Sequence, residues 1–116
     1  MVGIRRCEVL VVGGGPGGYV AGIRSAQLGL DTVIVEGSRY GGTCLIRGCI
    51  PSKAIIHAAE RFESLSRHAK SGGHMGISVL EAPSLNMSDL VNWKDSIVDR
   101  LNKGVESLLK LSLIHI

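Results

Sequence analysis

The chain has 116 residues and a formal net charge of +3; 45% of its residues are hydrophobic, 20% charged and 3% aromatic. This length fits about one small domain, and the mild charge without a basic run argues against a nucleic-acid partner. No apolar stretch approaches the roughly 20 residues of a membrane span, and no signal-peptide pattern opens the chain, so we expect a cytoplasmic protein with no membrane partner.

The first third of the chain predicts a strand, a glycine-rich turn, a helix and a second strand. Residues 8–12 predict a strand buried on both faces of a parallel sheet, because the four residues that follow Glu8 are apolar without alternation. After the glycine-rich segment 13–18, an alanine-rich helix is predicted over 19–28 and ends at a glycine. Residues 31–35 predict a second buried strand. This order indicates an α/β fold with a parallel sheet.

The remainder of the chain predicts a loop over 37–48, a helix over 49–69, a possible short strand over 76–80 and a helix over 87–109. Helical spacing places one apolar stripe on each long helix. We expect the first stripe to bury Ile55, Ala58, Ala59, Phe62 and Leu65, and the second to bury Leu90, Ile97, Leu101, Val105 and Leu108.

The glycine-rich segment has the spacing Gly13-x-Gly15-x-x-Gly18 of a dinucleotide-binding turn, between a predicted strand and a predicted helix. The first glycine permits the tight turn, the second lets a pyrophosphate approach the backbone, and the third lets helix and strand pack closely. The helix N-terminus then offers free N–H groups to the phosphates. We place Pro16 and Gly17 at the same site. This spacing does not distinguish FAD from NAD.

An acidic residue, Glu36, follows the second predicted strand, 18 residues beyond Gly18. An acid at this position accepts hydrogen bonds from the ribose hydroxyls of a dinucleotide. The alternative is a glycine-rich turn with an unrelated surface glutamate. The strand, helix, second strand and acid in register favour the dinucleotide site.

Two cysteines, Cys44 and Cys49, are separated by four residues around the start of the first long helix. A thiolate at a helix N-terminus is stabilised by the helix dipole, so we expect a lowered thiol pKa. A disulfide between them would close a small ring that opens and re-forms without unfolding. A zinc site would need about four ligands, and the histidines show no paired spacing, so we expect no metal. A purely structural disulfide is disfavoured in the cytoplasm, and Cys7 is expected to be a plain thiol.

The glycine turn with its flanks, 11–19, and the run 41–53 together resemble the class I pyridine nucleotide-disulfide oxidoreductases, and most closely the members that act on dihydrolipoamide. The resemblance implies a partial Rossmann-type FAD-binding domain over 1–110, truncated, with the NAD-binding and dimerisation domains absent. It implies that Cys44 is the thiol that exchanges with substrate and that Cys49 faces the flavin. Lys53 would lie near the flavin ring, and Gly42 and Thr43 would line the FAD phosphate and ribitol.

For the full-length parent, the resemblance implies a homodimeric oxidoreductase that oxidises dihydrolipoamide to lipoamide. Its electrons would pass through the cysteine disulfide and FAD to NAD, and its partner would be the lipoyl group of a 2-oxo acid dehydrogenase complex. Between the cysteines, Ile46 and Arg47 depart from the Asn-Val common in the family. Three residues of the following helix favour lipoamide over glutathione: Ile50, Ser52 and Ala54. Mercuric and glutathione reductase-like enzymes remain alternatives, as does a non-catalytic FAD-binding fragment.

The last six residues, 111–116, resemble the translation of a sequencing-library adaptor. The family normally continues here with a basic segment leading to another strand. We therefore expect these residues to be a non-native tail; the alternative is a natural apolar ending.

Overall fold

A computed structural model describes residues 3–72 and 75–112. Its helices and strands follow in the order β1 (Val9–Val12), α1 (Pro16–Gln27), β2 (Thr32–Val35), α2 (Gly42–Arg47), α3 (Cys49–Ser71) and α4 (Met87–Leu111). The predicted α/β class, with a parallel sheet and flanking helices, is confirmed. The predicted non-native tail is described only through Ser112, at the end of α4, so the rest of it lies outside the described residues.

The two strands pair in parallel, with Val9 opposite Thr32 and Val12 opposite Val35. The prediction that both faces of β1 are buried is wrong, because Leu10 and Val12 are 59% and 80% exposed. Side chains alternate along a strand, and the described helices cover only one face of the sheet.

Helix α1 begins at Pro16, three residues before its predicted start at Tyr19. Proline is well suited to this position because the first N–H groups of a helix have no intrahelical partner, so its missing N–H costs nothing. The helix ends at Gln27, and Gly29 then adopts a left-handed φ of +84°. This is the glycine stop that the sequence predicts.

Two local predictions in the middle of the chain are wrong. Residues 42–47, predicted as loop, form the short helix α2, whose Leu45 is buried. The glycines on both sides of this segment favoured a loop prediction, but the residues between them, 43–47, include no glycine or proline that would prevent a helix. Conversely, the segment 76–80 forms no strand; Ile77 makes only an isolated bridge, and Gly76 has a left-handed φ of +76°.

The core lies between the covered face of the sheet and the helices α1, α2 and α4. Its buried side chains are Ile34, Leu45, Val98, Val105 and Leu109. Of the predicted α4 stripe only Val105 is buried; Leu101 and Leu108 are 39% and 52% exposed. The buried face is instead Val98, Asn102, Val105 and Leu109. This face also has helical spacing, but it is rotated and includes a polar residue, which a search for apolar residues passes over.

Helix α3 also differs from prediction, because Ile55 and Leu65 are exposed whereas Pro51 and Ala54 are buried. Helices α3 and α4 pack against each other, and the described chain is elongated, with extents of 68 × 31 × 18 Å. Within residues 3–72 and 75–112, no helix is both long and apolar enough to cross a bilayer.

Candidate functional site

The glycine turn between β1 and α1 is held in a conformation that only small residues allow. Gly13 has a left-handed φ of +104°. A methyl carbon built on Gly18 would lie 1.8 Å from the carbonyl oxygen of Gly13, and one built on Gly14 would lie 2.6 Å from Cδ1 of Tyr40. Gly18 therefore has the close-packing role that the spacing predicts, because any side chain there would force helix and strand apart.

The N-terminus of α1 leaves backbone donors free for an anion. Its N-cap, Gly15, makes no side-chain cap, and Pro16 has no N–H. The Tyr19 N–H donates to the Gly15 carbonyl at 2.9 Å, which leaves the N–H groups of Gly17 and Gly18 as first-turn donors without a partner inside the helix. Gly17 has open space around it. Free N–H groups, the positive end of the helix dipole and the absence of a covering side chain fit a phosphate.

The side chain of Glu36 is tied to this turn. Its Oε2 accepts from the Gly14 N–H at 2.7 Å, and its Oε1 accepts from the Ser38 N–H at 2.9 Å. These bonds, the one from Gly14 foremost, hold the pKa of Glu36 below its ordinary value. Each carboxylate oxygen retains a further lone pair, so Glu36 can still accept a hydrogen bond from a ligand hydroxyl.

The segment 39–43, which leads into the first turn of α2 and is here called the second loop, packs directly on the glycine turn. The Gly41 N–H donates to the Gly14 carbonyl at 2.8 Å. Gly42 has a left-handed φ of +68°, and a methyl carbon on it would lie 2.8 Å from Cα of Gly15. The structure therefore brings the predicted cofactor residue Gly42 to the turn, although it is 24 residues beyond Gly18 in the sequence, and Thr43 follows it in the chain.

The cysteine pair adjoins this loop. Cys44 lies in α2 and Cys49 is the first residue of α3; both are free thiols. A side-chain hydrogen bond with Cys49 is the largest cause of a raised pKa at Cys44, followed by burial. The charge of Lys53 acts in the opposite direction, because a positive charge favours the thiolate. The expected lowering of the pKa is wrong for Cys44, because the neighbouring thiol outweighs the favourable groups.

A cavity of about 600 Å³ lies between the Cys44 region and α4. Its lining explains why Leu101 and Leu108 are not in the core, since both border this space. The sequence did not indicate that α4 contributes to the site. The cavity is lined by residues of α1, α2 and α4, among them Pro16, Tyr19, Cys44, Leu101, Gly104 and Leu108.

Helix α4 also contacts the second loop through two polar side chains, and the sequence patterns predicted neither contact. Buried Asn102 donates from Nδ2 to the Tyr40 carbonyl at 2.6 Å, and Asp99 pairs with Arg39 at 2.5 Å. The sequence contained one signal for this contact: Asn102 is a polar residue at a position where helical spacing places the buried face of α4. Across residues 3–72 and 75–112, no group of three or more His, Cys, Asp or Glu side chains could hold a metal ion.

Comparison with known proteins decides the family. The profile of the family described as pyridine nucleotide-disulphide oxidoreductase matches residues 7–116. The chain belongs to this family. Members of the pyridine nucleotide-disulphide oxidoreductases bind FAD and NAD, which agrees with the free backbone N–H groups at the start of α1.

Three curated relatives with high identity are each named as a dihydrolipoyl dehydrogenase. The chain is 58% identical over 107 residues to the dihydrolipoyl dehydrogenase of Pseudomonas aeruginosa, an alignment that covers 92% of this chain and 23% of that protein. It is 54% identical over 103 residues to dihydrolipoyl dehydrogenase 2 of Haloarcula marismortui, and this alignment covers 89% of this chain and 21% of that protein. It is 50% identical over 109 residues to the Geobacillus stearothermophilus dihydrolipoyl dehydrogenase, covering 94% and 22%. The chain therefore spans about a fifth of the length of these relatives.

Proposed function

We propose that this chain is the part of a dihydrolipoyl dehydrogenase that binds FAD and carries its redox-active cysteines. The observation that carries the proposal is that the glycine turn and the cysteine pair are adjacent in the fold. The Gly41 N–H is bonded to the Gly14 carbonyl, and Cys44 follows three residues later, beside Cys49. A dinucleotide bound on the turn would therefore be next to the thiols.

The proposed cofactor residues divide by the part of FAD that they would hold. The pyrophosphate would lie on the α1 N-terminus, where backbone N–H groups are free. Glu36 would bind the ribose through lone pairs that Gly14 and Ser38 leave available. The full proposed set is Gly13, Gly15, Pro16, Gly17, Gly18, Glu36, Gly42, Thr43, Cys44 and Lys53.

The proposed chemistry of the chain is a thiol–disulfide exchange. In the oxidised form, a substrate thiolate attacks Sγ of Cys44, the Cys44–Cys49 bond breaks, and Cys49 leaves as a thiolate. The second substrate thiol then displaces Cys44, so a dihydrolipoyl dithiol loses two electrons and two protons and the cysteine pair gains them. FAD, when bound, supplies the acceptor for these electrons. Cys44 borders the 600 Å³ cavity, which supports it as the cysteine that meets substrate.

For the whole protein we propose oxidation of dihydrolipoamide with electrons passed on to NAD, in a homodimer that serves the lipoyl group of a 2-oxo acid dehydrogenase complex. The names of the relatives support this substrate over mercuric ion or glutathione. Because the chain spans about a fifth of those relatives, we propose that the chain by itself binds flavin without catalysing this turnover.

The test uses Gly17, where a side chain meets no atom within 4 Å. Gly17→Asp places a carboxylate beside the proposed phosphate position, whereas Gly17→Asn adds nearly the same volume without charge. An acid in the first turn, where α1 has none, favours the helix itself, so the fold should persist. We expect Gly17→Asp to weaken FAD binding, measured by flavin fluorescence, roughly tenfold or more relative to Gly17→Asn. Equal affinities in the two variants, or no binding by the wild-type chain, would overturn the proposal.

A further inference from the structure

Helix α4 places one polar side chain on its otherwise apolar buried face. Asn102 is 6% exposed and lies between the buried residues Val98 and Val105. Burying an amide is unfavourable unless it is hydrogen-bonded. Its Nδ2 donates to the carbonyl of Tyr40 at 2.6 Å, across 62 residues of sequence. This bond accounts for an amide in the core.

The peptide group that joins Tyr40 to Gly41 makes a second hydrogen bond through its N–H. The Tyr40 carbonyl and the Gly41 N–H belong to one peptide bond, and the atoms of a peptide bond are coplanar. The Gly41 N–H donates to the Gly14 carbonyl at 2.8 Å. The Tyr40–Gly41 plane is therefore fixed between α4 and the glycine turn, and a rotation that frees one bond breaks the other.

Fixing this plane matters because the next residues have no side chains to orient them. Gly41 and Gly42 adopt left-handed φ values of +108° and +68°, and glycine samples many alternatives to such angles. From this we propose that Asn102 is a positioning residue for the cofactor site. By fixing the Tyr40–Gly41 peptide it keeps Gly42 against Gly15. The inference rests on the proposed function for the identity of the cofactor.

The neighbouring ion pair does not have this role. Arg39 and Asp99 join the same loop and helix, but both side chains are substantially exposed, and exposed pairs contribute little. The buried amide is therefore the contact that decides the orientation of the loop.

The first test needs no cofactor. Hydrogen exchange of backbone amides is measured on the full chain without flavin, for the wild type, Asn102→Leu, Asn102→Ala and the control Val98→Ala. Asn102→Leu fills the space without a donor, and Asn102→Ala removes the side chain, so either variant decides the question if the other fails to fold. Val98→Ala weakens the same face of α4 but keeps the donor of the Asn102–Tyr40 hydrogen bond. We expect the Gly41 amide to exchange about tenfold faster in the Asn102 variants, the effect of losing one hydrogen bond.

In Val98→Ala, the exchange of Gly41 should rise only as much as that of the β1 amides. An unchanged Gly41 amide in a folded Asn102 variant, or an equal effect of Val98→Ala, would overturn the positioning role.

The second test is FAD affinity in the same proteins. We expect Asn102→Leu to raise the FAD dissociation constant about tenfold, while Val98→Ala stays within error of the wild type. Equal losses in the two variants would mean that Asn102 acts only through stability, and would overturn the inference. If the wild-type chain fails to bind FAD, the proposed function fails, while the exchange of Gly41 still decides whether Asn102 fixes the loop.

Discussion

A methyl group at Gly42 should push the second loop away from the glycine turn. Gly42→Ala incurs two separate costs. Its φ of +68° is a left-handed conformation that disfavours a Cβ by about 1–2 kcal/mol. The new carbon would also lie 2.8 Å from Cα of Gly15, and such overpacking typically costs about 1–3 kcal/mol. The sum is a loss of about 2–5 kcal/mol in the free energy of unfolding.

Gly29→Ala is the matched control. Gly29 also has a left-handed φ, +84°, but open space surrounds it, so it should lose only about 1–2 kcal/mol. Replacing glycine by alanine also lowers the conformational entropy of the unfolded chain, which stabilises the fold. This effect is the same in both variants, so it cancels in the comparison. The assay is urea unfolding followed by far-UV circular dichroism, with the variants compared at one temperature. A loss in Gly42→Ala no greater than in Gly29→Ala would refute the close contact between the two loops.

Two further predictions concern ionisable groups of the site. The pKa of Glu36 is lowered in the folded chain, so its stabilising effect is complete above the ordinary glutamate pKa and is lost as the pH falls below it. The stability difference between the wild type and Glu36→Gln should therefore shrink from neutral pH to about pH 3; a constant difference would contradict the hydrogen bonds to Gly14 and Ser38. Because Cys49 is the largest cause of the raised pKa at Cys44, Cys49→Ala should lower that pKa. Iodoacetamide alkylation of Cys44, followed by mass spectrometry across pH, would show this as a shift to lower pH, and an unchanged profile would contradict it.

The sequence predicted the parts of the site that follow from local backbone rules. Glycines at this spacing between a strand and a helix permit a tight turn and close packing of the helix on the strand. Gly18 shows this close packing, because it lies directly against the carbonyl of Gly13. The cysteine motif likewise predicted that Cys44 and Cys49 lie together, which the structure shows.

Other features depend on contacts between distant segments, which local patterns do not contain. The buried face of α4 includes Asn102 because the Tyr40 carbonyl lies opposite, and nothing near Asn102 in the sequence indicates that partner. Leu101 and Leu108 suit a core by composition, yet they border a cavity. The pKa of Cys44 depends on the neighbouring thiol of Cys49, whereas the local pattern indicates only that Cys44 lies near the start of a helix.

The central claim, that flavin and dithiol share one site in this chain, is tested most directly by visible absorption spectroscopy. The FAD-loaded chain is treated with dihydrolipoamide, and the long-wavelength absorption that a thiolate gives when it faces a flavin is recorded. The proposal predicts that this absorption appears in the wild type, persists in Cys44→Ser, which already has Cys49 reduced, and is absent in Cys49→Ser. A chain that binds FAD but gives the same spectrum in all three proteins would contradict the claim.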